Sequence, residues 1–577
     1  MDGDRTISTT GAVLNRYARV VSISSNVITV ADISTLNDTA DDHYTNDTLA
    51  AGDLILIYQA QGATFTSTAD DATYGAFEYG EAGKYEFALV TAVAGNNITV
   101  ATTNTPPYTC SGITNTYNTT SGNVQMVRVP QYTNLTIESG ASVTAPAWNG
   151  ATGGIIALHV QYNLVVNGTI DASGLGFRGG EASDLEPWDI IFGISSFRDQ
   201  VENGGEKGES ILGDQTVYDG QSGRYGRGAP ANGGGGGNAH NAGGGGGANG
   251  SSGSPWKEGY GFVDTNDVYA DAWRLDPGTI TDTVPIYFQG GAGGGRGGYS
   301  YSNQYEDPTQ VFPNASDWGG DSRRQVGGLG GRALNNNPNS PDGRLFFGGG
   351  GGGGDGNNDA ATSGGNGGGL VILVAHNTSG SGTVLSNGET ALNTTNSFDD
   401  GAGGGGGGGA ILLKTPTLST NTLTLSANGG NGGNQPSVIY LGTPYPQEAM
   451  GPGGGGGGGY IAVASGSGSL TAAVDGGTNG ISLSDAMNGG EQPQPPNTAV
   501  PPFPPNGATQ GYPGGTSLAF NNAGAITFPG CGAPTAVSLQ TFSAASSSSL
   551  SLVGITGLLL TAVLLTWALR RRQVVGH

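Results

Sequence analysis

Residues 403–414 read GGGGGGGAILLK, seven glycines that pass directly into a short apolar segment. The same arrangement recurs at 453–464, where seven glycines precede YIAVA. A third run of seven, at 348–354, reaches the apolar segment LVILVA (370–375) through a second glycine cluster. Short apolar runs bounded by glycine are typical of buried β-strands. Glycine runs in phase with strands therefore predict a repeating architecture.

The glycine runs have two interpretations. One is a flexible linker, because glycine loses more backbone freedom on folding than any other residue. Linkers are usually mixed with serine and lie between domains, whereas these runs are pure and alternate with strands. We favour ordered three-fold helices of the polyproline II type, which rise ~3.1 Å per residue and extend ~22 Å over seven residues. Such helices bond only sideways, and the shorter runs at 233–237 and 243–247 supply further neighbours.

The composition favours β-structure and excludes one class of partner. The 577 residues include 111 glycines and only 11% charged residues, with a formal net charge of -24. Low charge density with abundant Gly, Asn, Thr and Ser suits strands and turns and is poor for helices. Because an acidic chain repels nucleic acid, no nucleic-acid partner is expected.

Cysteine and histidine give no sign of a metal or redox site. Cys110 and Cys531 lie far apart in sequence, and both a disulfide between them and two free thiols stay open. The five histidines are scattered without the spacing of metal ligands, so neither zinc nor haem is expected. No cofactor is predicted, except that one acidic cluster could bind a structural calcium ion.

Residues 1–133 predict a small antiparallel β barrel or sandwich. They contain a duplication, YARVVSISSNVITVA at 17–31 and YEFALVTAVAGNNITVA at 85–101. Each copy has two apolar strands around an Asn-containing turn, which indicates a hairpin. The Asp/Asn cluster at 37–48 could ligate calcium, but its spacing fits no EF-hand loop. A solvated loop is the favoured alternative.

Residues 134–180 and 347–490 predict a β-solenoid. The repeat is a glycine pair, a strand, an interval, a second strand and a glycine turn, and it begins near Gly153, Gly367, Gly408 and Gly458. Spacings of about 40 to 50 residues between the last three copies are typical of stacked coils. The alternation in Ile411 and Leu413, repeated in Leu423 and Leu425, directs one set of side chains inward.

Residues 181–346 interrupt the repeats and are rich in aromatic side chains. Flat aromatic faces with polar tips suit stacking on sugars, so this region is the predicted recognition surface for a carbohydrate or other surface ligand. The alternative is that these aromatics form the small core of the insertion itself. The candidate glycan-binding residues are Trp256, Tyr260, Trp273 and Trp318.

The C-terminal part predicts a spacer, a stalk and an anchor. A Pro-rich spacer with a last strand occupies 491–532, and a Ser-rich stalk occupies 533–549. Residues 550–572 are apolar over about 20 positions and end in three arginines, as expected for a transmembrane helix. A buried core helix is the alternative. The anchor residues are Leu552, Leu558, Leu559, Leu560, Leu564, Leu565, Trp567, Arg570, Arg571 and Arg572.

Orientation and fold class follow. Arginines stay in the cytoplasm, so the residues before the anchor are expected outside the cell, membrane-anchored at the C-terminus. Export would need a signal peptide ahead of MDGDRTIST, which has no apolar core. The predicted fold is all-β: a small N-terminal β barrel or sandwich, then a β-solenoid interleaved with polyglycine II helices, plus one C-terminal transmembrane α-helix.

Five segments carry a family resemblance. They are GDLILIYQAQGA (52–63), AGKYEFALVTAV (82–93), VQMVRVPQYTNLTI (124–137), APAWNGATGGIIAL (145–158) and IDASGLGFRGG (170–180). Together they resemble the glycine-rich bacterial surface proteins labelled adventurous gliding motility proteins. The C-terminal apolar helix with its arginines resembles bacterial sorting anchors, although the chain has no LPxTG-type motif. The resemblance implies export and a cell-surface role, and it brings no catalytic residues.

Three classes of function remain open. The favoured one is a non-enzymatic surface protein or adhesin, a stiff rod that serves attachment, matrix or filament formation, self-association or motility. The second is a polysaccharide-active β-helix enzyme, which would need convergent carboxylates, or a carboxylate with a basic partner, on one face. The third is ice or mineral binding by a flat face of glycine helices.

Overall fold

The computed structural model describes part of the chain. The described residues are 2–38, 43–65, 77–102, 112–183, 204–220, 231–237, 241–249, 294–295, 297–298, 300–302, 323–325, 327–328, 330–331, 334, 339–341, 343–356, 359–395, 400–419, 422–436, 450–481 and 508–520. The chain divides into two compact units, Met1–Ala533 and Pro534–His577, and every described residue belongs to the first.

Strands dominate the described residues. The first ten are β1 (Asp4–Ile7), β2 (Ala12–Val13), β3 (Arg16–Ser24), β4 (Val27–Val30), β5 (Leu54–Gln59), β6 (Thr64–Phe65), β7 (Phe77–Glu78), β8 (Tyr85–Ala94), β9 (Asn97–Val100) and β10 (Val124–Val129). The next are β11 (Gln131–Tyr132), β12 (Asn134–Ile137), β13 (Ser142–Thr144), β14 (Ile155–Val166), β15 (Thr169–Asp171), β16 (Ser300–Ser302), β17 (Arg323–Gln325), β18 (Leu370–Ser379) and β19 (Thr383–Leu385). The last are β20 (Ala410–Thr415), β21 (Thr417–Leu418), β22 (Thr424–Ser426), β23 (Tyr460–Ser465), β24 (Thr471–Ala473) and β25 (Gly515–Ala519).

The described helices are short. They are a 3-10 helix at Ile33–Leu36 and the α-helix α1 at Gln215–Gly220. Among the described residues, no helix has the length and apolar content needed to cross a membrane. The anchor at 550–572, Cys110 and Cys531 lie outside those residues, so the anchor stays a prediction and both alternatives for the two cysteines stay open.

The N-terminal duplication forms a closed antiparallel barrel, with strand order β10-β3-β4-β9-β8-β5. The two copies are the hairpins β3–β4 and β8–β9. Ser25 and Gly95 take positive φ values of 56° and 57° in their turns, as tight hairpin turns require. Of the barrel or sandwich that the sequence left open, the barrel is confirmed.

Two parallel sheets form the β-solenoid that the repeats predicted. The larger sheet has nine strands with the main order β1-β12-β14-β18-β20-β23-β25, and the smaller has the order β2-β13-β15-β19-β22-β24. Successive coils are in register, since Leu370 pairs with Ala410 and Ala410 with Tyr460. The first coil consists of β1 and β2, so residues 4–13 belong to the solenoid and the barrel follows them in sequence.

The larger sheet is covered on both faces, which explains why its strands are continuously apolar. Ile411 and Leu413 face the core between the two sheets, together with Leu423 and Leu425 from the smaller sheet, as predicted. Leu412 points the other way, into a second core that contains Tyr58, Trp148 and Phe347. Parallel sheets buried on both faces typically have such unbroken apolar strands.

Between its two-strand coils, the chain makes long excursions rich in glycine. We call the excursions the glycine bundle; its tracts are 173–183, 204–209, 231–237, 241–249, 348–356, 359–369, 386–395, 400–409, 427–436, 450–459, 474–481 and 508–514. Tracts 400–409 and 450–459 run straight into β20 and β23, which defines the sheet end of the bundle. The opposite end is called the far end.

Backbone bonds within the bundle rotate among neighbours with a period of three. The amides of 348 and 351 donate to 359–369, those of 349 and 352 to 241–249, and those of 350 and 353 to 204–209, at N···O distances of 2.8–3.0 Å. A helix with three residues per turn and no internal bonds has this pattern. The lateral bonding that the sequence predicted between tracts is therefore present.

Close approach of backbones explains why the tracts are glycine. A Cβ placed on Gly350 would lie within 3.0 Å of backbone atoms of Arg178, and a Cβ on Gly407 within 3.0 Å of the backbone of Ala248. Real Cβ atoms essentially never come so near. Neither glycine has the positive φ that alone would favour glycine, so the requirement arises from packing between tracts.

Candidate functional site

The residues predicted to bind glycans lie outside the described ranges, but the flanking residues can be placed. Residues 250–293, which contain Trp256, Tyr260 and Trp273, leave from Asn249. The Asn249 side-chain amide donates to the Gly408 carbonyl (3.0 Å), at the sheet end. Residues 303–322, which contain Trp318, connect β16 to β17, and Ser302 pairs with Arg323 at their two ends. Before β16, the Gly298 amide donates to Gly243 (2.6 Å) towards the far end of the bundle.

The acidic cluster at 37–48, of which 39–42 lie outside the described ranges, is buried in part and exposed in part. Asp38 is buried and pairs with Arg16 at 2.7 Å. The Asn37 side-chain oxygen accepts the Leu49 amide at 3.2 Å. Over the described ranges, no group of three or more His, Cys, Asp or Glu residues is arranged to hold a metal ion. Asp38 is therefore interior, whereas residues 45–48 are exposed, as expected for a solvated loop.

A buried carboxylate joins three parts of the molecule. Glu209 accepts from Arg178 Nε (2.8 Å), Trp148 Nε1 (2.9 Å) and Gln61 Nε2 (2.9 Å). The hydrogen bond to Glu209 raises the pKa of the Arg178 guanidinium, with a smaller opposing effect of burial. Because both carboxylate oxygens of Glu209 are already engaged, this ion pair holds the chain together and is a poor candidate for proton transfer.

The strongest candidate site is the outer surface of the glycine bundle, formed by tracts 386–395, 427–436 and 474–481. Backbone bonds of 2.8–3.0 Å join these parallel tracts: Gly388, Ala391 and Thr394 donate to Asn428, Asn431 and Asn434, and Gly429, Gly432 and Gln435 donate to Asp475, Thr478 and Ile481. Every third residue therefore has its side chain on the outer face. We call the polar members of this set the polar grid: Asn387, Thr390, Asn393, Asn428, Asn431, Asn434, Asp475 and Thr478.

Side-chain oxygens of the grid accept the backbone amides that point towards the outer face. The Asn428 amide donates to Asn387 Oδ1 (2.7 Å), and the Asn434 amide to Asn393 Oδ1 (2.8 Å). The next tract repeats the arrangement, since Thr478 donates to Asn431 Oδ1 (2.9 Å). These oxygens take the place of the glycine layer that would otherwise accept the amides, so the grid closes the bundle on this side.

The same bonds fix which polar atoms are left for a ligand. A backbone N–H can only donate, so the atom of Asn431 that faces Thr478 is the oxygen, and Nδ2 is the remaining group. Within the described part of the chain, Nδ2 of Asn428 and Asn431 donates to no protein atom, and the carbonyls of Gly429 and Gly432 accept from none. Gly432 is buried, whereas Gly429 is half-buried. The face therefore presents amide donors at a three-residue spacing and a carbonyl acceptor at Gly429.

The spacing and charge of the polar grid limit its chemistry. Three residues of such a helix advance ~9 Å along a tract, and hydrogen-bonded neighbours lie ~5 Å apart. Asn431, Thr478 and Asp475 are exposed, while Asn428 is half-buried. The grid contains no histidine, cysteine or basic residue. It is suited to binding a repetitive polar surface and lacks a nucleophile paired with a base.

This outer face is not among the sites predicted from the sequence, although the sequence contains a signal for it. SNGETALN (386–393) and ANGGNGGN (427–434) both place polar residues at every third position. A period of three is neither the strand period of two nor the α-helical period of 3.6. It is the period of the three-fold helix predicted for the glycine runs, so the outer face could have been predicted from it.

Comparison with known proteins gives little. No protein-family model matches the chain and no curated protein matches it. Among solved structures, the tailspike protein gp49 from Pseudomonas phage LKA1 is similar at 17% identity and a TM-score of 0.13, over 29% of this chain and 26% of that one. The gp54 tailspike of Acinetobacter baumannii bacteriophage AP22, in complex with A. baumannii capsular saccharide, is similar at 15% identity and a TM-score of 0.12, over 30% and 26%.

The matched part spans about a quarter of each tailspike. At such TM-scores the likeness carries no argument about this chain. The resemblance to glycine-rich gliding proteins stays a prediction.

Proposed function

We propose that this chain is a non-enzymatic cell-surface structural protein or adhesin, in which polyglycine II helices and a β-solenoid form one stiff body. The single observation that supports this most is the lateral bonding of the glycine tracts. The proposal includes the transmembrane anchor, with Arg570, Arg571 and Arg572 in the cytoplasm. It also includes export of the rest of the chain to the cell surface.

The bonding extends from the bundle into the solenoid without a break. Tract 403–409 continues as β20, and the Gly409 amide donates to Ser386, which directly follows β19 (2.7 Å). The Gly408 amide donates to Gly457 (2.8 Å) one excursion further along the chain. Because the same tracts both bond one another and extend the strands, bending between bundle and sheets would break many bonds at once.

The far end of the bundle is suited to presenting recognition segments to a surface ligand. Asp355 donates from its amide to Ala242 (3.0 Å), Gly401 donates to Asp355 (2.8 Å), and Gly451 donates to Asn241 (2.9 Å). Four tracts from three different excursions therefore end together. The segments that connect them there, 238–240, 357–358, 396–399 and 437–449, differ widely in length. Variable connections on a constant scaffold are typical of recognition proteins.

Surface exposure and attachment test the proposal. The full chain would be exported in a bacterial host through a signal peptide fused ahead of residue 1, beside a chain ending at residue 549. We expect external protease to digest the full chain on intact cells, the shorter chain to appear in the medium, and only the full chain to increase attachment of cells to surfaces.

The enzyme alternative has a clear outcome in the same preparation. Release of reducing ends or unsaturated products from a polysaccharide panel would contradict the non-enzymatic proposal. Retention of the shorter chain in the membrane fraction would contradict the proposed anchor.

A further inference from the structure

We infer that the polar grid binds an extended, uncharged polysaccharide that lies along the glycine tracts. The inference rests on the proposed surface role and adds the ligand class and the residues that contact it. It differs from the aromatic surface predicted from the sequence, because the grid contains no aromatic side chain and would recognise sugars by hydrogen bonding.

The outer face offers both hydrogen-bond donors and hydrogen-bond acceptors to a ligand. Nδ2 of Asn428 and Asn431 is available to donate, and the carbonyl of the half-buried Gly429 is available to accept. A hydroxyl group both donates and accepts. A ligand covered with hydroxyl groups can therefore satisfy both sets, whereas a surface offering donors alone, or acceptors alone, leaves half of them unpaired.

The negative charge at the polar grid favours an uncharged ligand. Glu389 and Asp475 are exposed at the grid, and the Glu389 carboxylate is held there by the Asn366 side-chain amide (2.7 Å). The chain as a whole has a net charge of -24. A polyanion such as an acidic capsule would be repelled, so an uncharged polysaccharide is favoured.

The asparagine side chains of the polar grid are held in fixed positions at a regular spacing. The side-chain oxygens of Asn428 and Asn431 are fixed by backbone amides of the next tract, at 2.7 Å and 2.9 Å. Little side-chain freedom remains to be lost when a ligand binds. The ~9 Å repeat along each tract favours a ligand that is itself an extended repeat.

The test uses the full chain in detergent micelles and three uncharged polysaccharides: cellulose, mannan and curdlan, with alginate as the anionic probe. We expect binding to at least one uncharged probe and weaker binding to alginate. Asn431→Asp keeps the oxygen that accepts the Thr478 amide but replaces the donor with a negative oxygen. It should weaken binding about tenfold, the effect of losing one or two hydrogen bonds.

Asn97→Asp is the matched control. Asn97 lies on the exposed barrel hairpin, and its Oδ1 accepts from Thr29 (2.8 Å), so the same charge change is made away from the grid. Binding by Asn97→Asp should equal that of the parent chain. Equal melting temperatures of the three chains would show that the grid remains folded.

Three outcomes of the polysaccharide-binding measurements overturn the inference: no uncharged probe binds, alginate binds best, or Asn431→Asp and Asn97→Asp bind alike. Thermal hysteresis that Asn431→Asp abolishes would reassign the face to ice and also overturn it. Surface exposure and anchoring are measured separately on cells. If these hold while polysaccharide binding fails, the ligand assignment falls and the proposed surface role does not.

Discussion

The solenoid and the glycine bundle bury their backbones in different ways. In the solenoid, side chains such as Leu412 fill the space on both faces of the larger sheet, and the main driving force is removal of apolar surface from water. In the bundle, neighbouring backbones fill that space themselves, so that Gly350 has the Arg178 backbone where a side chain would be. The bundle is held by hydrogen bonds and close contact.

Because of this difference, the solenoid should be destabilised by smaller side chains and the glycine bundle by larger ones. Removing atoms from the solenoid core leaves a cavity, which destabilises it. Removing atoms from the bundle is not an option, because glycine is already the smallest residue, and adding a single methyl group forces backbones apart. Substitutions in each region, and a change of pH, test this contrast.

Gly350→Ala should disrupt the bundle. The added Cβ would lie within 3.0 Å of the Arg178 backbone, which cannot move aside as a flexible side chain can. We expect a loss of more than about 4 kcal/mol in the free energy of unfolding, beyond ordinary overpacking. Urea unfolding would measure it, and Gly220→Ala is the control because a Cβ there meets nothing within 4 Å. Equal stability of the two variants would show that backbone packing in the bundle does not require glycine.

Leu412→Ala tests the solenoid side. Leu412 is fully buried in β20, so the change should cost about 3 kcal/mol through lost apolar burial and a cavity. Leu392→Ala is the matched control, because Leu392 is 74% exposed and its removal should change the free energy of unfolding by under about 0.5 kcal/mol. A near-zero effect of Leu412→Ala would show that side-chain packing does not hold the coils.

Acid should act on the solenoid through His159. Burial lowers the pKa of this residue in β14 to about 4, although Asp2 opposes the change in part. Unfolded histidine takes up a proton near pH 6.5, so stability present above that pH is lost as the pH falls towards 4, by up to about 3 kcal/mol. His159→Gln should flatten this dependence of urea unfolding. An unchanged slope between pH 7 and 4 would exclude His159 as its source.

Much of the fold could be predicted because its signals are local. Paired strands around short turns predicted the two barrel hairpins, and the recurrence near Gly367, Gly408 and Gly458 predicted the solenoid coils. The first coil was not predicted, because β1 reads DRTI and its burial comes from pairing with β12, distant in sequence. No local sequence pattern predicts that a polar segment will pair with a strand distant in sequence.

The candidate site was less accessible to sequence reasoning. Asparagines at every third position were visible, but only the pairing of Asn431 with Thr478 shows which polar atoms a neighbouring tract takes up. That pairing depends on how excursions of different length come into register. The predicted aromatics, Trp256 and Trp318 among them, are in segments that the described residues do not include.

Amide hydrogen exchange of the intact chain measures whether the lateral hydrogen bonds between glycine tracts protect their backbone. If lateral bonds make the bundle a scaffold, amides of 348–354, 403–409 and 453–459 should exchange as slowly as those of β18, β20 and β23. Exchange of the glycine tracts at the rate of an unstructured chain, beside protected strands, would contradict the account.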